Sequence, residues 1–359
     1  MISFVILNWN SGSYLEEAIS SISGQQGARC EVIVVDNGST NESIEALRRL
    51  RDAGSVSTLV ELGENIGYAA GMNVGIERTS GSVVVPMNSD VVIGDGFASA
   101  MLRHVGTTDP DGACVGMVAV PVYEWDYEEG VRSIRTDRLM SVGAVVMKRF
   151  TTNAWHPSLD DRSYLMGPEG SVPVYTRDAL EAAYRADGHY FEPGYFAYGE
   201  DTDLLLRVRE AGFGVAVDPL VQAWHIGSAS SGGALSAVGK PLWLRSLVHV
   251  NRYKTMRKLP SFRARAHSTV VLLAEDAFWV VFGRERLRTI RVFVGNYWHV
   301  AIWYRPRRLA HLSVRLGGAA RSATSQRHAR GERLPPLPTA PASGAELSLA
   351  GSERSGIGP

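Results

Sequence analysis

Through its first ~120 residues the chain alternates short β-branched, apolar runs with polar, helix-compatible segments, a pattern that restricts it to a mainly parallel sheet flanked by helices. The strand candidates are Ser3–Leu7, Glu31–Val35, Ser57–Glu61, Val83–Met87 and Cys114–Val120. Between the first two, Tyr14, Leu15, Ala18, Ile19 and Ile22 recur at helical spacing, with Ser13 expected as N-cap and Glu16 completing a capping box. Further helices are expected over Ser43–Ala53 and from about Ala69 to Thr79. Together these make βαβ units.

Farther along, residues 123–164 carry clustered charges and no clear period, as loops over a site do. A helix at Arg177–Ala186 is followed by the aromatic loop His189–Tyr198, then by a helix at Glu200–Ala211 closed by Gly212, where a left-handed cap favours glycine. Val215–Asp218 reads as one more strand.

Net charge is zero over 359 residues, but it conceals an asymmetry. Residues 1–240 hold 17 Lys/Arg against 31 Asp/Glu, and residues 241–359 hold 20 against 6. The spacing predicts a helix over Leu242–Lys258, stopped by Pro260, then two apolar, aromatic-bearing runs, Thr269–Phe282 and Thr289–Trp303. Neither run reaches the roughly 20 apolar residues of a spanning helix. Two alternatives stay open for residues 241–320: amphipathic helices lying on an anionic membrane surface, or a helical subdomain packed on the body. Residues 321–359, rich in Ser, Ala, Gly, Pro and Arg, are expected to be disordered. Two cysteines, Cys30 and Cys114, exclude a disulfide scaffold or a cysteine zinc site and fit a reducing compartment. The start, Met1–Asn8, reads as a buried strand instead of an export signal, so the expected location is cytoplasmic, at the inner face of the cell membrane.

Six segments offer chemistry. Strand ends in an open α/β sheet line the ligand crevice, which places Asp36, with the amides Asn8 and Asn10, where a base or ribose can be hydrogen-bonded; helix capping by Asp36 is the competing reading. Glu64–Gly75, with Asn65, Gly67 and Asn73, has glycines that let backbone approach a ligand, but neither a GxGxxG nor a Walker loop. The fourth strand runs into Asn88-Ser89-Asp90, a carboxylate suited to a hard cation. Glu200, Asp201 and Asp203 open a helix behind the aromatic loop; Asp201 or Glu200 could be a general base, with helix-dipole complementarity as the alternative, and Asp203 pairs with Arg207 four residues on. His225 could complete a Mn²⁺ or Mg²⁺ site with Asp90.

In order and spacing these segments resemble the inverting family 2 glycosyltransferases of GT-A fold, in particular the bacterial rhamnosyltransferase-like and galactofuranosyltransferase-like branch. The resemblance spans about residues 1–258. Val34–Ser39 looks like the base-binding strand end, Asn65–Gly71 like the donor loop, Asn88-Ser89-Asp90 like the DXD motif with Asn for the first Asp, and Glu200–Leu204 like the Glu-Asp acceptor motif. His225 falls at the branch's metal-binding histidine, and Val250–Tyr253 looks like the segment before its membrane-associated helices. Tyr190–Gly194 departs from the usual Phe-Asp-Glu, and residues 123–165 match nothing in the family.

The resemblance implies a Rossmann-like mixed sheet with C-terminal amphipathic helices and a disordered tail. Residues 1–240 would be the transferase domain, 1–122 for the nucleotide sugar and 123–240 for the acceptor. It implies direct displacement with Asp201 as base, and a divalent metal (Mn²⁺ or Mg²⁺) on Asp90 and His225. The donor is expected to be a nucleoside-diphosphate sugar, dTDP-rhamnose by branch, and the acceptor a glycan or lipid-linked sugar of cell-wall or surface-polysaccharide synthesis. No nucleic-acid partner is expected. The competing functions are a catalytically silent sugar-nucleotide-binding or scaffold subunit, and a nucleotidyltransferase, for which Asn8–Gly12 lacks the basic phosphate loop.

Overall fold

A computed structural model of the chain describes residues 1–146, 152–156, 161–227 and 242–282, with Val294, Trp298, Val300, Tyr304, residues 306–310 and Leu312. The expected tail at 321–359 and most of the run Thr289–Trp303 lie outside the described residues. In chain order the elements are β1 (Ile2–Asn8), α1 (Tyr14–Ser23), β2 (Cys30–Asp36), α2 (Ser43–Asp52), β3 (Thr58–Glu61), α3 (Tyr68–Ile76), β4 (Val83–Asn88), β5 (Val91–Ile93), α4 (Phe97–Arg103) and β6 (Val115–Ala119). There follow β7 (Val122–Glu128), β8 (Arg132–Ser141), β9 (Gly143–Val146), β10 (Thr152–Trp155), β11 (Leu165–Gly167), β12 (Val174–Thr176), α5 (Arg177–Asp187), α6 (Glu200–Glu210), β13 (Gly214–Val217), β14 (Ala223–His225), α7 (Leu242–Lys258) and α8 (Phe262–Phe282).

The central sheet has the order β13-β6-β12-β4-β1-β2-β3 and is parallel except at β12, which runs antiparallel to both β4 and β6. This is the mixed, mainly parallel α/β architecture that the sequence pattern predicts. Side chains alternate faces along a strand, so β1 serves two cores. Ile2, Phe4 and Ile6 pack with Leu15, Ile19 and Ile22 of α1 and Phe97 of α4, while Val5 packs with Met72 and Ile76 of α3. The β12 strand was not read from the sequence: it is three residues long and follows Pro173, too short for a period to register.

The unassigned stretch from Tyr123 onward contributes strands to two smaller sheets, β5-β14-β7-β8, which it shares with β5 and β14, and β10-β9-β11. Its long hairpin β7–β8 corrects one expectation. Ser13 takes helical angles and caps nothing with its side chain, so the Ser13/Glu16 capping box does not form; its hydroxyl instead shares a hydrogen bond with Tyr127 on β7. Gly212 does take a left-handed φ, +88°, after α6.

Helix α7 is part of the body. Val250, Tyr253 and Met256 are buried in the same core as α3, α5 and α6, and Lys258 Nζ sits 2.5 Å from Asp203 on α6. Helix α8 buries Leu272 but leaves Phe262, Val270, Leu273 and Phe278 exposed. Among the described residues no helix is long and apolar enough to cross a membrane.

Candidate active site

The carboxyl ends of β1, β2 and β4 form one edge, bearing Asn8, Asp36 and Asn88. Asn8 is fully buried and its Nδ2 donates to Asp36 Oδ1 (2.7 Å) and to the hydroxyls of Ser39 and Ser43. Asn8 therefore orients Asp36 from beneath. Asp36 also accepts from Ser39 N (3.1 Å), and since α2 starts only at Ser43, with Glu42 at its N-cap position, Asp36 is not that helix's cap. Asn10, at φ 52°, lies exposed above this edge and accepts from Thr40 N (2.7 Å).

The glycine-bearing loop is laced to β2 by a residue that sequence reasoning passed over. Asn37, buried next to Asp36, donates to Asn65 Oδ1 (3.0 Å) and accepts from Ile66 N (2.9 Å). Asn65 also accepts from Gly67 N (2.9 Å). Gly67 has φ 91°, and a Cβ there would come within 2.6 Å of the Phe196 ring. Asn73 faces another way: both ends of its amide engage the backbone of Phe191, at 2.7 Å each, which fastens α3 to the aromatic loop.

At the end of β4, Asn88 accepts from the Tyr68 hydroxyl (3.3 Å), and Ser89 accepts from Ser11 Oγ (3.0 Å). Asp90 turns inward. Strand β14 pairs with β5, matching His225 to Val91, and that register sets His225 Nε2 3.2 Å from Asp90 Oδ1. Burial, the largest influence on the imidazole, lowers its pKa, but the charges of Asp90 and Glu169 and the bond to Asp90 outweigh it and lift His225 to about 9.

Glu169 is the second residue that the sequence did not signal. It follows β11 in the turn to β12, accepts from Ser171 N (3.1 Å), and lies in electrostatic range of His225, Tyr68 and Asp201 alike. It thus joins the Asp90–His225 pair to the start of α6. Asp201 packs against Gly170 so closely that a Cβ there would stand 2.5 Å from its carboxylate, and it accepts from Thr202 N (2.6 Å). Burial is the main reason that the Asp201 carboxyl is held above its ordinary value. Glu200, 7% exposed, is pushed up to about 8 by burial and then by Asp201, and its Oε2 has no hydrogen-bond partner among the described residues. Tyr68 sits among Glu200, Asp201 and Asn88, and burial above all raises its phenol.

Asp203 turns away from this cluster. It is fully buried with Arg207 (2.9 Å) and Lys258 (2.5 Å), whose charges outweigh the effect of burial and hold it below its ordinary value, the structural pairing that the spacing predicts.

Once the imidazole gives up the proton that it shares with Asp90, the donor set suits a hard or borderline cation: one carboxylate and one imidazole, their ligating atoms 3.2 Å apart, close to the roughly 3 Å that separates adjacent ligands of one octahedral ion. No group of three or more His, Cys, Asp or Glu among the described residues is arranged to hold a metal, so of these Asp90 and His225 would supply two ligands.

Residues 3–159 match the family model described as Glycosyl transferase family 2. An uncharacterized glycosyltransferase of Haemophilus influenzae is 32% identical over 90 residues, 25% of this chain and 36% of that protein. Glycosyltransferase GlyG of Streptococcus pneumoniae is 26% identical over 130 residues, 36% of this chain and 42% of that one. The chain spans about a third of the length of the first curated relatives it matches. Among solved structures, S. aureus TarS 1-349 in complex with UDP-GlcNAc superposes with a TM-score of 0.50 at 16% identity, over 82% of this chain and 79% of that one, a likeness of fold. Residues 3–159 are thus similar to the glycosyltransferase family 2 domain, and the chain has a mixed, mainly parallel α/β fold.

Proposed function

We propose that the chain is an inverting glycosyltransferase that moves a sugar from a nucleoside diphosphate to a hydroxyl of a glycan or lipid-linked acceptor in cell-wall or surface-polysaccharide synthesis. The observation that carries this reading is that Glu169 lies in electrostatic range of both Asp201 and the Asp90–His225 pair, whose Asp90 follows the end of β4 in the sheet whose β2 end bears Asp36. Asp36 and Asn10 would grip the nucleoside, with Asn8 behind them, and Asn65, Gly67, Asn88 and Ser89 would flank the diphosphate.

Glu200 and Asp201 divide the acid–base work by environment. Two buried carboxyls side by side do not both ionise readily; Glu200, held at about 8, keeps its proton at neutral pH and leaves Asp201 as the ionised partner. Asp201 takes the proton of the acceptor hydroxyl as that oxygen bonds to the anomeric carbon. The bond from that carbon to the diphosphate oxygen breaks on the opposite face, and the electron pair leaves with the nucleoside diphosphate, inverting the anomeric centre. Asp90 and His225 would hold Mn²⁺ or Mg²⁺, which when bound neutralises charge on the departing diphosphate.

We infer dTDP-rhamnose as the first donor to try, on the branch resemblance alone, and an anionic membrane surface for the exposed apolar side of α8. Incubation with a panel of sugar nucleotides, scored by release of nucleoside diphosphate with and without Mn²⁺, tests the reading. Release that depends on donor and acceptor supports it. Binding without release would leave a silent sugar-nucleotide-binding subunit.

A further inference from the structure

The loop ahead of α6 is conformationally costly. Phe196, Tyr198 and Gly199 all have positive φ, at 62°, 68° and 88°, and two of the three carry side chains that disfavour it. Such a conformation persists only where its surroundings impose it. Here the constraint comes from α7. The Nδ2 of Asn251, a side chain only 1% exposed, donates to the carbonyls of Tyr195 (2.9 Å), Ala197 (2.9 Å) and Tyr198 (2.7 Å). Its Oδ1 in turn accepts from Lys254 Nζ (2.8 Å), which also donates to the Gly194 carbonyl. One side chain therefore satisfies three of the carbonyls that the loop turns inward.

The far side of the same loop meets the donor loop. Phe196 O accepts from Ala69 N (3.1 Å), and the Phe196 ring lies where a Cβ on Gly67 would be. Glu200 and Asp201 follow at once as the first residues of α6. The segment is thus pinned between Asn251 on one side and the Gly67–Ala69 turn on the other, with the carboxylates at its end.

We propose that Asn251 is a positioning residue for Asp201: by clamping residues 195–199, with positive φ at Phe196, Tyr198 and Gly199, it aims the base at the donor loop. The inference rests on Asp201 being that base. Asn251 is buried behind the loop and acts through it alone.

The test compares Asn251→Asp, which keeps size and removes both donated hydrogens, with Asn251→Ser, which shortens the side chain, using the whole chain. Amide hydrogen exchange is read first, with β1 and β2 as the internal control for folding. Both variants are expected to exchange at least tenfold faster over residues 196–203 while the β1 and β2 amides keep wild-type protection. Should N251D lose that protection globally, N251S is the variant judged. With a donor that wild type turns over, kcat is expected to fall 10- to 100-fold while the dissociation constant for the nucleoside diphosphate changes less than threefold. Unchanged exchange at 196–203 overturns the clamp, and faster exchange with unchanged kcat overturns the positioning role. A parallel loss of kcat and nucleotide affinity points to general destabilisation and also overturns it. Failure of the wild type to release nucleotide from any donor condemns the glycosyltransfer reading instead, a result visible before any variant is made.

Discussion

His225 Nε2 lies 3.2 Å from Asp90 Oδ1, and this contact exists because β14 pairs antiparallel with β5, directly after the β4 strand end. Two ligands of a shared cation would be spaced in this way. Chelator treatment is therefore expected to suppress transfer, with recovery on adding Mn²⁺ or Mg²⁺. His225→Ala should raise the metal concentration needed for half-maximal activity about 10- to 100-fold, on the scale of losses seen when metal sites are perturbed. Activity indifferent to chelator would refute the metal assignment.

Asp201→Asn removes the proposed proton acceptor and keeps the side chain's shape. Turnover is expected to drop by about 10²- to 10⁴-fold, the usual contribution of a general base, with nucleotide affinity nearly unchanged. Steady-state kinetics beside a nucleotide titration by calorimetry decide this; turnover at the wild-type rate removes Asp201 from the chemistry.

Glu200 gives a pH signature. Its folded pKa, about 8, exceeds its ordinary 4.5, so its contribution to stability is fully present below 4.5 and is lost as pH rises through about 8. Glu200→Gln cannot ionise. The difference in unfolding free energy between Glu200→Gln and wild type should grow in favour of the variant between those two pH values, followed by urea denaturation at a series of pH values. A constant difference would mean that Glu200 is already ionised.

Gly67→Ala would have to fit a methyl group 2.6 Å from the Phe196 ring at φ 91°. With ψ at 163° this backbone suits glycine almost alone and costs another residue about 1–3 kcal/mol. A lower melting temperature and donor affinity weaker by tenfold or more are expected, from a thermal scan and a binding titration on the same preparation.

Asp203→Ala would leave Arg207 and Lys258 buried without their shared counter-charge. Breaking such a group by removing one partner costs about 3–5 kcal/mol, so this variant should be among the least stable single substitutions in the body, measured by chemical denaturation. A loss below about 1 kcal/mol would show that the pair is reached by water.

The sheet's first strands were legible because β1 and β2 are buried on both faces and so read as unbroken apolar runs. Strands β5 and β12 were not, being three residues each; in such short pieces the register comes from neighbours such as His225 or Met117 and not from any local period. Asp90, Asp201 and His225 could be named from order along the chain, since each lies within two residues of the end of a regular element. Glu169 could not: it is a single acid between Pro168 and Gly170, and only the return of β12 beside β4 gives it its neighbours. Ser13 shows the reverse failure. Its local pattern was that of an N-cap, but a tyrosine from a distant hairpin competed for the hydroxyl and won.

The antiparallel insertion of β12 between β4 and β6 has a consequence for dissection of the protein. A fragment cut at residue 159, where the family match stops, would lack the strand that closes the flank of β4. The bare backbone amides and carbonyls left along Val83–Val84 would be an adhesive seam, inviting self-association through strand pairing. The N-terminal half should therefore be handled only as part of a chain that continues at least through Thr176.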